Sequence, residues 1–184
     1  MATTPTNAVS SGGALTDGAS TDGALIHGLF HLAIKTADLN QTRAFWINII
    51  GLRDMPRPDF GFPGAWLACG QPGGQAIIHV YAGGPALGGA STVPHGTAAI
   101  DHVSLSCTGY HAYVARFKAA SLDWRENLVV GTTYWQLFVY DPSGVQLELT
   151  FEGAVEQGAP PDESDERRYR AGESFFKQGS YPQL

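Results

Sequence analysis

Four side chains of metal-binding type sit at matched places along this chain. His31 and His79 are 48 residues apart, and His102 and Glu148 are 46 apart. Imidazole nitrogen combined with carboxylate oxygen suits iron, manganese, nickel, cobalt or zinc. A lone histidine in a strand is more often an ordinary packed or solvated residue than a ligand. A glutamate within Gln146-Leu147-Glu148-Leu149 could equally be plain surface alternation. Recurrence at equivalent places in two halves is what points to one shared metal centre. His27, His95 and His111 have no counterpart of this kind and are expected to face solvent.

The elements that must position these groups can be read from the surrounding pattern. Residues 30–34 read as a strand, and Asp38 can cap a helix whose buried side carries Leu39, Thr42, Phe45, Trp46 and Ile49. Gly51 stands where that helix stops. Short strands are expected near residues 52–55, 65–69 and 76–81. After a Gly/Pro-rich bridge at 83–96, the order recurs: a strand at 100–105, a helix at 109–120 burying Val114 and Phe117, then strands near 124–129, 135–140 and 145–151. Asp141-Pro142-Ser143-Gly144 forms a turn between the last two. Trp46 follows His31 by 15 residues, and Phe117 follows His102 by 15. Strand side chains alternate, so His31, His79, His102 and Glu148 can each point into the concave face of its module while Leu32, Val80 and Leu149 point to the core. The expected fold is α+β, built from a βαβββ module at 25–90 and a second at 91–152, with a disordered leader at 1–24 and a tail at 153–184. Each module is too small to bury both faces of its sheet, so the two are expected to pack together.

Composition narrows the partners. The chain has 184 residues, 43% hydrophobic and 15% charged, which suits a globular protein with a real core. Eleven basic against 17 acidic residues give a net charge of −6, and no basic cluster stands out, which argues against nucleic acid and anionic membranes. No apolar run approaches the roughly 18 residues of a membrane span. Two isolated cysteines, Cys69 and Cys107, fit a reducing cytoplasm. In the tail, residues 162–170 are a charged run, followed by Phe175, Phe176 and Tyr181, which can dock on the body or on a second subunit.

The segment His31-Leu-Ala-Ile-Lys-Thr-Ala-Asp38-Leu39, with Phe45-Trp46 and Gly51-Leu52, resembles the opening of a vicinal oxygen chelate module. Gln136-Leu-Phe-Val-Tyr-Asp141-Pro142-Ser143-Gly144-Val-Gln-Leu-Glu148-Leu149 resembles its closing segment. That family includes glyoxalase I, extradiol ring-cleavage dioxygenases, epimerases and antibiotic-resistance proteins, and the resemblance covers roughly residues 26 to 152. It implies a half-barrel pair around a metal centre, with His31, His102 and Glu148 as a two-histidine, one-carboxylate triad that leaves positions open for substrate and oxygen or water. Relatives are often dimers, some with modules paired across chains, so a homodimer is expected.

His79 is the informative position within that resemblance. Glyoxalase-like members carry a carboxylate ligand there, whereas extradiol dioxygenases have a histidine available for acid/base work, and a histidine can move a phenolic proton near neutral pH. The expected activity is therefore an Fe2+-dependent extradiol-type cleavage of a catechol-like diol; Mn2+, Ni2+, Co2+ or Zn2+ would serve other chemistries. The alternatives are a glyoxalase-type lyase, isomerase or epimerase, in which His79 is a fourth ligand or the base, and a metal-free protein that sequesters a small molecule. One departure stands out: Phe138 lies where extradiol enzymes use a tyrosine. Tyr134 or Gln136 could supply the missing hydrogen-bond donor, while Phe138 packs against substrate. Tyr81 shares the parity of His79, and the stretch from Arg57 through Phe60 and Phe62 to Trp66 forms either an aromatic wall of the pocket or a connecting loop.

Overall fold

The computed structural model describes residues 28–70 and 74–184. The expected disordered leader and His27 lie outside them. The first half contains β1 (Leu32–Lys35), α1 (Leu39–Ala44) running into a π-helical turn (Phe45–Ile49), β2 (Arg53–Met55), β3 (Gly64–Ala68) and β4 (Ala76–Tyr81). A four-residue α2 (Gly84–Leu87) lies in the bridge. The second half contains β5 (Val103–Cys107), α3 (Tyr110–Ala119), β6 (Trp124–Leu128), β7 (Tyr134–Tyr140) and β8 (Gln146–Glu152). The strand orders β1-β4-β3-β2 and β5-β8-β7-β6 are the same arrangement twice. In each sheet the first and last strands pair in parallel and the others antiparallel. The fold is α+β, two βαβββ modules.

Local chemistry explains the element ends. Asp38 Oδ1 accepts from the Gln41 amide at 3.0 Å and caps α1. The helix widens at its end, where the Ile50 amide reaches back to Phe45 O, and stops as Gly51 takes a φ of 89° and the Leu52 amide bonds Trp46 O at 2.9 Å. At the start of α3 the amides of Gly109 and Tyr110 donate to the two carboxylate oxygens of Glu156, both at 2.8 Å. A negative charge therefore sits where the helix presents its orphan donors.

Alternation sorts the strand faces. In β4, Ile78 and Val80 are buried while His79 and Tyr81 turn to the other face. In β8, Leu147, Leu149 and Phe151 enter the core and Gln146, Glu148 and Thr150 turn away from it. One continuous core runs through both modules, from Phe45, Trp46 and Ile49 to Tyr110, Phe117 and Leu149. Polar contacts along this helical side tie the modules. Tyr113 donates its hydroxyl to Ile50 O at 2.9 Å, Arg116 donates to Ile49 O at 3.1 Å, and Trp46 Nε1 donates to Asp141 Oδ2 at 3.2 Å. Asp141 also accepts from the Ser143 and Val145 amides, at 2.8 and 2.9 Å. Burial nevertheless pushes its carboxyl up to about 6 against those donors.

The tail docks on the body. Its backbone lies beside β6, with the Glu126 amide donating to Arg167 O at 2.7 Å and the Tyr169 amide to Glu126 O at 2.9 Å. The buried Glu126 carboxylate accepts from Tyr110, from Trp124 Nε1 and from the Asp162 amide. Farther on, Phe175 and Phe176 pack against Tyr140, and Tyr181 donates to Tyr140 O at 2.9 Å. On the non-core face of β8, Gln146 and Glu148 are buried and Thr150 is half-buried, and the tail reaches this face where Gln146 Nε2 donates to the Tyr169 hydroxyl at 3.3 Å. Cys69 and Cys107 are both free thiols. Among the described residues no helix is long and apolar enough to cross a membrane.

Candidate metal centre

His31 and His102 stand one residue before the strands expected to contain them, since β1 begins at Leu32 and β5 at Val103. Before β5 the cause is a turn: the Ile100 amide bonds Thr97 O, and Thr97 Oγ1 donates to Asp101 O at 3.1 Å. His79 and Glu148 lie inside β4 and β8 as expected.

In the first module the two imidazoles meet. The rings of His31 and His79 stack with centroids 3.9 Å apart and planes 17° apart, and Trp66 stacks on the far side of His79 at 4.6 Å. The pairing of Trp66 with His79 across β3 and β4 sets that contact. Burial, then the charges of His31 and Arg57, lower the pKa of His79. His31 Nδ1 is buried and has no hydrogen-bond partner.

The second module holds the other pair. His102 Nε2 lies 3.4 Å from Glu148 Oε2. The other ring nitrogen, Nδ1, is 2.7 Å from Asp101 Oδ1, and this hydrogen bond holds the Asp101 carboxyl below the usual range. Ser104 and Thr150 donate their hydroxyls to Glu148 Oε1 at 2.6 and 2.8 Å, which orients the carboxylate and leaves Oε2 toward His102. Such partners fix the ring and carboxylate of metal ligands elsewhere. Asp101, Ser104 and Thr150 were not singled out from sequence; of these, only Asp101, as the neighbour of His102, carried a usable signal.

Within the chain these groups form two pairs rather than a foursome. Among the described residues, no three His, Cys, Asp or Glu side chains are grouped as a metal ion would require. The donors themselves suit a divalent metal, each module offering two, and the orphaned nitrogen of His31 is the kind of buried polar atom that a missing partner leaves behind.

The stretch from Arg57 to Trp66 forms an aromatic wall beside His79. Phe60 stacks with Phe62 at 6.0 Å and lies 6.0 Å from Trp66, and Phe62 meets Tyr81 edge-on at 5.5 Å. On the other sheet, Phe138 is directly opposite Glu148 and touches His102 edge-on at 5.8 Å. Tyr134 sits elsewhere: it pairs with Glu152, four positions along the strand from the level of Glu148, and is 47% exposed. Gln136 accepts a hydrogen bond from Asn127 Nδ2 through its Oε1 at 2.7 Å. The hydroxyl nearest Phe138 comes instead from the tail. Tyr169 lies flat on Phe138, centroids 3.5 Å apart and planes 4° apart, with its oxygen 3.3 Å from both Asp101 Oδ1 and Gln146 Nε2. His95 and His111 are exposed and bond Gln178 and Ala159 O.

No protein-family model matches the sequence, and no curated protein matches it significantly. Solved structures do match in shape. A glyoxalase family protein from Bacillus anthracis aligns at TM-score 0.54 and 18% identity, covering 70% of this chain and 98% of that one. The fosfomycin resistance protein FosX from Listeria monocytogenes aligns at 0.53 and 21%, covering 69% and 94%. A variant of that protein has been solved with Mn(II) and 1S,2S-dihydroxypropylphosphonic acid. Glyoxalase I from Leishmania major aligns at 0.55 and 18%, covering 70% and 89%. The fold is the one these glyoxalase and fosfomycin-resistance structures share.

Proposed function

We propose that this chain is a divalent-metal enzyme acting on a small molecule with two adjacent oxygens, and that His31, His102 and Glu148 hold the metal. The observation that supports this reading is the matched pairing of donors, His31 with His79 and His102 with Glu148, at corresponding places in two like modules. One chain holds the donors as two separate pairs, so we further propose that the first module of one copy faces the second module of another, in a homodimer with two sites. When bound, the metal would supply a Lewis acid with open positions for two substrate oxygens.

The finer reading is extradiol-type ring cleavage of an aromatic diol with Fe2+. Here His79 takes a phenolic proton from the diol and later returns it. Burial lowers its pKa, which favours the neutral ring, the form that accepts a proton. Trp66 and His31 clamp its plane between them. Phe60, Phe62 and Tyr81 offer an apolar wall to a flat ring and exclude water from it. Protein purified without chelators should contain stoichiometric metal, and iron-loaded protein should consume oxygen with a diol. Failure of a panel of catechols under those conditions would discard ring cleavage.

A second reading, glyoxalase-type isomerisation, lyase or epimerase chemistry, is favoured by the glyoxalase and FosX structures that share the fold. It also accommodates Phe138, which lacks the hydroxyl ring-cleaving relatives use. Turnover without oxygen, with Mn2+, Ni2+, Co2+ or Zn2+, would select it. Absence of any bound metal would select sequestration instead.

A further inference from the structure

Tyr169 lies beyond both modules, yet its hydroxyl reaches the group that supports His102. Its ring is held flat against Phe138, which pairs across the strands with Glu148 and so shares its sheet face. The hydroxyl oxygen stands 3.3 Å from Asp101 Oδ1 and 3.3 Å from Gln146 Nε2. Gln146 is itself buried and accepts from the Tyr140 hydroxyl through Oε1. Ser174 Oγ, 3.2 Å from that same hydroxyl, can donate to it.

These contacts favour one direction of hydrogen bonding. An ionised carboxylate only accepts, so Tyr169 and His102 Nδ1, 2.7 Å away, both donate to Asp101 Oδ1. Tyr169 has a single proton. With that proton directed at Asp101, its lone pairs face Gln146 Nε2, and the other end of the amide faces the Tyr140 proton. Turning the amide over would draw the Tyr169 proton to Gln146 and set a phenol lone pair against the Asp101 carboxylate. Burial raises the Tyr169 phenol above its ordinary range, the Gln146 bond works against that, and the Asp101 charge adds to it. The hydroxyl therefore keeps its proton to give.

The network ends at His102. With the proton on Nδ1, Nε2 is a bare acceptor 3.4 Å from Glu148 Oε2, which is an acceptor too. Two such atoms repel until a cation joins them, and a ring nitrogen ligates only in this form.

We infer that Tyr169 is a positioning residue for His102, holding the imidazole through Asp101 in the Nδ1–H tautomer with Nε2 free to ligate. This deepens the reading of His102 as a metal ligand, and rests on that reading only for the effect on metal affinity. Contacts of 3.3 Å are long for a hydroxyl donor, so what they set is the direction of the ring more than the stability of the fold.

The test reads the tautomer directly, from long-range proton–nitrogen magnetic resonance spectra of the isotopically labelled full chain. The chain is stripped of metal and held at about pH 9, well above the ordinary imidazole range. The His102 signals are those absent from a His102→Asn chain. The unaltered chain should show His102 mainly as Nδ1–H. Tyr169→Phe keeps the ring and its stack but should lower that share, and Tyr140→Phe should lower it less, by freeing the Gln146 amide. Zn2+ affinity, from competition with a chelator, should fall about three- to tenfold in Tyr169→Phe, less than on losing the direct partner of a ligand. A His102 ring found mainly as Nε2–H overturns the inference, as does a tautomer share or a Zn2+ affinity that Tyr169→Phe leaves unchanged in a chain that binds Zn2+. A chain whose tautomer responds to Tyr169→Phe but which never takes up Zn2+ supports the positioning role and discards the metal reading instead.

Discussion

His102 Nε2 lies 3.4 Å from Glu148 Oε2, each group already oriented by other partners. Asp101 holds the far nitrogen of the imidazole, and Ser104 and Thr150 hold the far oxygen of the carboxylate. The atoms left facing each other are the ones a metal would need. Asp101→Asn should therefore weaken metal binding by about 10–100-fold, the usual effect of losing a group that orients a ligand. Glu148→Ala should abolish it. Competition against a chelator of known affinity measures both, and an unchanged affinity in Asp101→Asn would assign Asp101 to the turn alone.

Tyr169 covers Phe138 so completely that the phenylalanine is 1% exposed. Tyr169→Ala should lower stability by about 1–3 kcal/mol, from lost apolar burial and the lost stacked pair. Tyr169→Phe should lose much less, because its hydroxyl makes only long contacts with Asp101 and Gln146. Denaturant midpoints at constant slope separate the two, and equal losses would show that the stack contributes nothing.

Asp141 joins the modules through Trp46, and its carboxyl is raised to about 6 from 3.8 by burial. The folded chain thus binds this proton more tightly than the unfolded chain does. The resulting stabilisation is fully present below about 3.8 and is lost as pH rises through about 6. Asp141→Asn turns an amide toward the Trp46 donor and should cost about 1–3 kcal/mol. The gap between the unaltered chain and the variant should be wider at pH 5 than at pH 8. Thermal melts across that range check the sign, and a gap that widens with pH would contradict it.

Much of the architecture was legible because it rests on local rules. Ile78 and Val80 alternate with His79 and Tyr81 as a one-sided strand must, Asp38 caps where an Asp before a helix should, and Gly51 supplies the positive φ that ends it. The start of β5 was misplaced because the Thr97–Asp101 contacts hold the chain in a turn up to His102, which apolar pattern does not reveal. The docking of Tyr169 was not readable, since one aromatic in a charged run carries no periodicity and its contacts are with distant residues. Nor does the spacing of a repeat encode how two modules sit together. That depends on Tyr113 reaching Ile50 and Trp46 reaching Asp141, contacts between residues far apart in the chain.

The proposed assembly of one metal site from two copies is open to a complementation measurement. His31→Ala and His102→Ala chains, each expected to be nearly metal-free, are unfolded together in equal amounts, refolded and analysed for bound metal. In a mixed dimer one site carries both lesions and the other carries none, so random pairing should restore about one quarter of the metal held by the unaltered protein. A mixture that stays as empty as its two components, while the unaltered chain binds metal fully, would contradict the account.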